Sequence, residues 1–179
     1  MKRALLLTSI VVASGVLFTN VYNSVIDARS WGADLPHSIE ITRSYFKAVN
    51  PGNFFRIVSP LVQLLGLASL IAFWRSKALR LPLAIATVSF VLTDVMTFAY
   101  FYPRNAFMFQ AASLTDVAGL TRAWSEWSTA NWLRSALYLL GVVLSARTLH
   151  RSYALEPREA AAKGRVPSTV SALAASSAA

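Results

Sequence analysis

Four long apolar segments alternate with shorter polar segments along the 179-residue chain. They cover residues 4–26, 54–74, 81–102 and 127–150. Each is long enough to cross the hydrocarbon core of a bilayer as an α-helix, which takes about 20 residues. The pattern predicts an all-α fold, an integral membrane four-helix bundle formed by residues 1–153. The remainder, 154–179, is basic and rich in Ala and Ser, a composition typical of a disordered tail.

The first apolar segment allows two interpretations. Lys2 and Arg3 precede it, and Ala13-Ser14-Gly15 is an acceptable cleavage site, so a cleaved signal peptide is one of them. The apolar character continues to Ile26, however, which is long enough to span a bilayer and favours a retained helix. Both interpretations give the same topology for the rest of the chain.

The longest segment between the predicted spans, 27–53, carries balanced charge. Pro36 can begin a helix there, and the following apolar residues recur at helical spacing with Arg43 among them. This pattern predicts a short helix that lies on the membrane surface. Asn50-Pro51-Gly52-Asn53 predicts a turn that stops it.

Charge is sparse and unevenly distributed. Only 14% of residues are charged and 55% are hydrophobic, whereas a soluble domain carries about 25% charged residues. Most of the net charge of +9 lies at the N-terminus, in 75–80 and in the tail. By the positive-inside rule, both termini are expected to be cytoplasmic, in the inner membrane of a bacterium. The placement beside apolar segments predicts a lipid bilayer, and not nucleic acid, as the partner of these charges.

The sequence lacks the residues that several kinds of chemistry require. The chain has no cysteine, which excludes disulfides, thiolate nucleophiles and iron–sulfur clusters. Its two histidines, His37 and His150, do not form a metal-binding pattern, and no nucleotide-binding loop is present. We therefore predict neither a metal nor a cofactor.

Strongly polar side chains occur within the predicted spans, and all of them fall in the outer half. They are Asn20, Asn23, Arg56, Gln63, Asp94, Asn131 and Arg134. Helical spacing places those of each span on one face, so a bundle can turn them inward as a polar pocket open to the outside. Ionisable residues at this depth are costly, and we expect Asp94 and Arg134 to form an ion pair. Such a pair marks either a functional pocket or a contact that fixes which helices meet.

Three short motifs give the chain a resemblance to a known family. They are the asparagines of the first span, Pro103-Arg104-Asn105 at the outer end of the third, and Trp127 followed by Asn131 and Arg134 in the fourth. With these, residues 10–150 resemble the anthrone-oxygenase-like family of small four-span membrane proteins, most of which have no assigned function. The family pattern has His where this chain has Asn131, and a neutral amide does not take up a proton near neutral pH.

The resemblance implies a cofactor-independent oxygenase that acts on a lipophilic aromatic molecule. Asp94 and Arg134 are then the candidate catalytic residues, as base and as stabiliser of an oxyanion. The candidate substrate-binding residues are Asn20, Asn23, Arg56, Gln63, Asn105, Trp127 and Asn131.

Two functions stay open at this point. One is a membrane protein whose outer pocket binds a small lipophilic molecule, or a structural subunit of a homo-oligomer or of another membrane protein. The alternative is the oxygenase. The replacement of His by Asn131 and the lack of a cofactor motif favour the first.

Overall fold

The computed structural model describes residues 1–164, with side chains through residue 155. It is all-helical, with no strand in that range, and the predicted all-α class is confirmed. The five helices are α1 (Lys2–Trp31), α2 (His37–Tyr45), α3 (Pro51–Ala72), α4 (Lys77–Gln110) and α5 (Val117–Gly164).

Three of these helices, α1, α3 and α4, are long and apolar enough to cross a membrane, as expected of a multi-pass membrane protein. Their outward faces expose many large apolar side chains, which a lipid environment would cover. Helix α5 contains the predicted fourth span, 127–150, but is not among the three. Asn131 and Arg134 lie in that segment and reduce its apolar character.

Helices α1 and α4 each contain a short π-helical stretch, Asn23–Asp27 and Thr97–Phe101. Pro103, expected to end the third span, follows the second stretch, and α4 continues to Gln110. The regular i→i−4 hydrogen bonding is already interrupted there, so the missing N–H of proline has little effect.

The starts of α3 and α5 differ from the predicted ones because capping residues lie there. The predicted turn at 50–53 is the start of α3, where Asn50 accepts from the N–H of Gly52 at 2.9 Å and forms a capping box with Asn53. Asp116 accepts from the N–H of Gly119 at 2.8 Å and caps α5. Helix α5 then continues through 154–164, which the composition assigned to a disordered tail, and 165–179 lie outside the described residues.

The four long helices form a closed set of contacts, because α1 and α4 each pack against both α3 and α5. Phe90 of α4 is at the centre, 1% exposed. A Cβ at Gly66 of α3 would lie 3.5 Å from its ring, and one at Gly141 of α5 would overlap the same ring. Gly141 therefore lets α5 approach this aromatic side chain closely, and α3 packs against the same ring at Gly66.

The beginning of α1 lies beside the far part of α5. Arg3 donates through Nη2 to the carbonyl oxygen of Ser152 at 2.7 Å and through Nε to its hydroxyl at 3.2 Å. Helix α2 lies at the opposite end, because Arg43 contacts the end of α4. We call the two extremities the Arg3 end and the α2 end.

Candidate functional site

A cavity of about 810 Å³ lies at the α2 end, and residues of all five helices line it. It collects six of the nine predicted site residues. They are Asn23, Arg56, Asp94, Asn105, Trp127 and Arg134.

The other three predicted residues do not line the cavity. Gln63 and Asn131 touch residues that do, since Gln63 donates to Asp94 and Asn131 accepts from Arg134. Asn20 is fully buried, and neither its side-chain oxygen nor its nitrogen has a partner within the described residues. Its carbonyl oxygen, however, takes part in the site.

Asn131 connects α1 and α5 beside the cavity. It is fully buried, and its Nδ2 donates to the carbonyl oxygen of Asn20 at 2.9 Å and to the hydroxyl of Ser24 at 2.6 Å. Ser24 lies in the π-helical stretch of α1, where the main chain departs from regular pairing, and Asn20 lies three residues before that stretch. With its oxygen on Arg134, Asn131 uses both amide donors and its acceptor.

Arg134 is 7% exposed, and polar and aromatic groups surround its side chain. Its Nη2 donates to the Asn131 side chain at 2.5 Å and its Nη1 lies 3.4 Å from the Thr97 hydroxyl. The guanidinium lies 4.2 Å from the ring centre of Phe101 and 5.9 Å from that of Trp127. Aromatic faces attract a cation, which offsets part of its desolvation.

The predicted ion pair between Asp94 and Arg134 is wrong. Within the described residues, no carboxylate oxygen lies within 4 Å of a nitrogen of Arg134. The Asp94 carboxylate instead accepts a hydrogen bond from Gln63, and Arg134 is turned toward Asn131 and Phe101. Both charges line the same cavity but remain separate.

Trp127 belongs to an aromatic cluster beside the cavity. Its ring meets those of Trp31 at 4.9 Å and Phe101 at 5.5 Å, both edge to face. The indole is 4% exposed, and its Nε1 has no hydrogen-bond partner among the described residues. Nε of Arg134 is likewise buried without one.

Asn23 faces the cavity from α1. With its amide oriented to satisfy its hydrogen bonds, Nδ2 donates to Asp27 at 2.8 Å and to the carbonyl oxygen of Thr19 at 3.2 Å. This pairing holds the Asn23 side chain along the helix.

Helix α2 forms within the segment where a short helix was predicted. Its apolar residue Ile39 is fully buried in the protein core. Arg43 donates to the carbonyl oxygen of Met108 at 2.7 and 3.0 Å and to that of Ala111 at 3.0 Å. Arg43 was not among the predicted site residues. The last carbonyls of any helix need donors, so an arginine in a neighbouring amphipathic segment was the signal that could have indicated this contact. Helix α2 thereby forms a wall of the cavity.

The cavity also has a side facing outward between α3 and α4. These helices meet where Gln63 contacts Asp94 and, farther from α2, at Gly66. Toward the α2 end, residues 97–110 of α4 make no extensive contact with α3. The residues that line the cavity there are exposed: Arg56 and Pro60 on α3, and Phe98 and Tyr102 on α4. We call this gap the lateral opening.

No family model, curated protein or solved structure matches this chain. Within the described residues, no group of three or more His, Asp or Glu side chains is placed to hold a metal ion. The site is consequently interpreted from its own geometry.

Proposed function

We propose that this chain is a four-span protein of the bacterial plasma membrane whose cavity binds a small lipophilic molecule. Both termini lie on the cytoplasmic side, and the α2 end faces outward. The distribution of Lys and Arg supports this orientation. The contact between Arg3 and Ser152 supports a common side for both ends of the helical part.

The surface of α5 supports its role as the fourth span. Leu133, Leu139, Leu140 and Val143 are exposed on it, although Arg134 of the same helix is buried. A helix that turns its polar residues inward and its leucines outward is typical of a span within a bundle. The closed contacts among α1, α3, α4 and α5 support the same arrangement.

The observation that carries the binding proposal is the cavity itself. Its volume of about 810 Å³ falls in the usual range for a small-molecule site, roughly 300–1,000 Å³. Aromatic rings, including those of Phe55, Phe109 and Trp127, line it together with a few polar groups. The lateral opening would admit a molecule that is dissolved in the lipid.

The test is thermal stability of the protein, purified in a non-ionic detergent, with 1-naphthol, 1-decanol and decanoate. A bound compound raises the midpoint of unfolding. Ala106 lines the cavity, and Ala106→Trp should fill part of the space and abolish the rise. Ala99 is exposed on the same helix and does not line the cavity, so Ala99→Trp should retain it.

If no compound stabilises the wild type, the binding proposal is wrong. The buried polar groups then act only in helix association, and a structural subunit becomes the better interpretation. Equal shifts in both tryptophan variants would place binding outside the cavity and contradict the proposal as well.

An oxygenase reaction is the second candidate, and the position of Asp94 and Arg134 around one cavity favours it. In this reaction one atom of O₂ becomes the new carbonyl oxygen of an anthrone, and the other leaves in water with the two methylene hydrogens. Asp94 would take the first proton and Arg134 would stabilise the oxyanion. Wild-type protein should then consume oxygen with anthrone and Asp94→Asn should not. No consumption by the wild type would exclude this candidate.

A further inference from the structure

We infer that the ligand is a single-chain amphiphile whose carboxylate binds Arg134 and Trp127, with its apolar chain leaving through the lateral opening. This inference rests on the proposed binding function and specifies the chemistry of the ligand.

The first observation is a pair of unused donors. Nε of Arg134 and Nε1 of Trp127 are buried, and neither has a partner within the described residues. Both groups can only donate, and buried donors nearly always have an acceptor. Both side chains line the cavity, and the guanidinium lies 5.9 Å from the centre of the Trp127 ring. In the proposed complex, an oxygen-bearing headgroup lies beside both side chains and accepts from their donors.

The second observation is the charge around the cavity. Arg43, Arg56 and Arg134 line it, whereas Asp94 is the one acid among its lining residues. In the described part of the chain, none of these arginines lies within 4 Å of a carboxylate oxygen. The hydrogen-bond acceptors of Arg43 and Arg134 are neutral. The cavity therefore has an excess of positive charge, which an anionic headgroup would balance and a neutral one would not.

The third observation concerns the rest of the ligand. The lateral opening between α3 and α4 is bordered by Pro60, Phe98 and Tyr102, and leads to the apolar outer surface of both helices. An alkyl chain can pass there and stay in contact with apolar groups along its length. The cavity has the size that holds one small molecule, which favours one chain over the two of a phospholipid.

The experiment compares decanoate with 1-decanol, which has the same chain and an uncharged headgroup. Binding is measured by calorimetry on the full chain in non-ionic detergent. A charge-assisted hydrogen bond contributes enough that decanoate should bind wild type about 10- to 100-fold tighter than decanol. Arg134→Gln should remove this preference, and Trp127→Phe should reduce decanoate affinity about 5-fold.

Arg122 provides the matched control, because it is exposed on α5 and does not line the cavity. Arg122→Gln should keep the preference for decanoate. If Arg134→Gln fails to fold, Trp127→Phe carries the test alone, since it keeps an aromatic ring and removes only the donor.

The outcomes separate the two proposals. Equal binding of decanol and decanoate to the wild type overturns the carboxylate inference and leaves the binding function intact. Failure of decanol and decanoate while 1-naphthol still binds overturns the carboxylate inference alone, and failure of all three compounds to bind in the cavity overturns both proposals. Tighter binding of dioleoylphosphatidylglycerol than of decanoate assigns the site to a two-chain lipid and overturns the single-chain assignment.

Discussion

The side-chain oxygen of Asn131 accepts a hydrogen bond from Nη2 of Arg134 at 2.5 Å, one turn farther along the same helix. The buried cation is therefore oriented by a neutral amide and not by the carboxylate of Asp94. An amide fixes the position of a guanidinium without cancelling its charge, so the charge stays directed into the cavity.

Removing this amide should destabilise the protein. Asn131→Ala leaves a donor of Arg134, the carbonyl oxygen of Asn20 and the hydroxyl of Ser24 without this partner. A buried unpaired group costs about 1–3 kcal/mol, and we expect a loss of that size in the free energy of unfolding. Thr129→Ala, on the exposed face of the same helix, is the control. Equal stability of the two variants would contradict the role of Asn131.

Asp94→Asn should fold normally, because its amide oxygen can still accept from Gln63. It also removes the negative charge from the cavity wall. Decanoate affinity should rise about 10-fold, as repulsion between like charges is lost. Calorimetry measures this effect, and Glu40→Gln is the control because Glu40 is an exposed acid that does not line the cavity. Weaker binding of decanoate to Asp94→Asn would show that the headgroup does not lie near Asp94.

Arg43 should control the attachment of α2. Its guanidinium makes three hydrogen bonds to the end of α4, and hydrogen bonds to a charged group contribute about 1.5–3 kcal/mol. Arg43→Gln should raise amide hydrogen exchange in His37–Tyr45 by roughly 10-fold or more. Mass spectrometry measures this exchange, and Lys47→Gln is the control because Lys47 lies just beyond α2. Unchanged protection in Arg43→Gln would show that the hydrogen bonds of Arg43 do not hold the helix.

Two glycine-to-alanine changes should have opposite effects. In Gly141→Ala the new methyl group would overlap the ring of Phe90, which is buried and cannot move away. Overpacking of this kind costs about 1–3 kcal/mol. In Gly15→Ala no heavy atom lies within 4 Å of the new carbon, and the higher helix propensity of alanine should add up to about 1 kcal/mol. Reversible unfolding in mixed micelles compares them, and destabilisation of both by the same amount would be inconsistent with this packing.

The absence of cysteine from the chain makes its orientation directly measurable. Ala78→Cys at the start of α4 and Ala112→Cys beyond its end are both exposed. With the proposed orientation, a membrane-impermeant maleimide added to intact cells should label only Ala112→Cys. Labelling of Ala78→Cys alone would reverse the topology.

Apolar periodicity and polar placement predicted part of the cavity lining. Asn23, Asp94, Trp127 and Arg134 were expected at one level of the molecule, and all four line one cavity. This works because a polar group within an apolar span must turn away from lipid.

The partners within that site could not be read from the same pattern. The acceptor that Arg134 uses depends on side-chain geometry across three helices. An amide and a carboxylate can both accept from a guanidinium, so the sequence does not decide between Asn131 and Asp94. The apolar pattern of the sequence does not reveal the π-helical stretches. Each stretch inserts one extra residue into its helix, which rotates every later side chain by about 100°. The positions of Tyr102 and Asn105 around the cavity depend on that rotation.

The location of Phe90 between Gly66 and Gly141 has a mechanical consequence. The packing around Phe90 is a fixed point below the cavity, because α3, α4 and α5 cannot separate there without losing contact with its ring. Phe55 of α3 lies roughly 16 Å above Gly66 along the helix, so a tilt of about 10° about this point moves it by about 3 Å. Pro60 lies between Phe55 and Gly66, and a helix bends most easily at a proline. The width of the cavity mouth can thus change while the half of the protein beyond Phe90 keeps its packing.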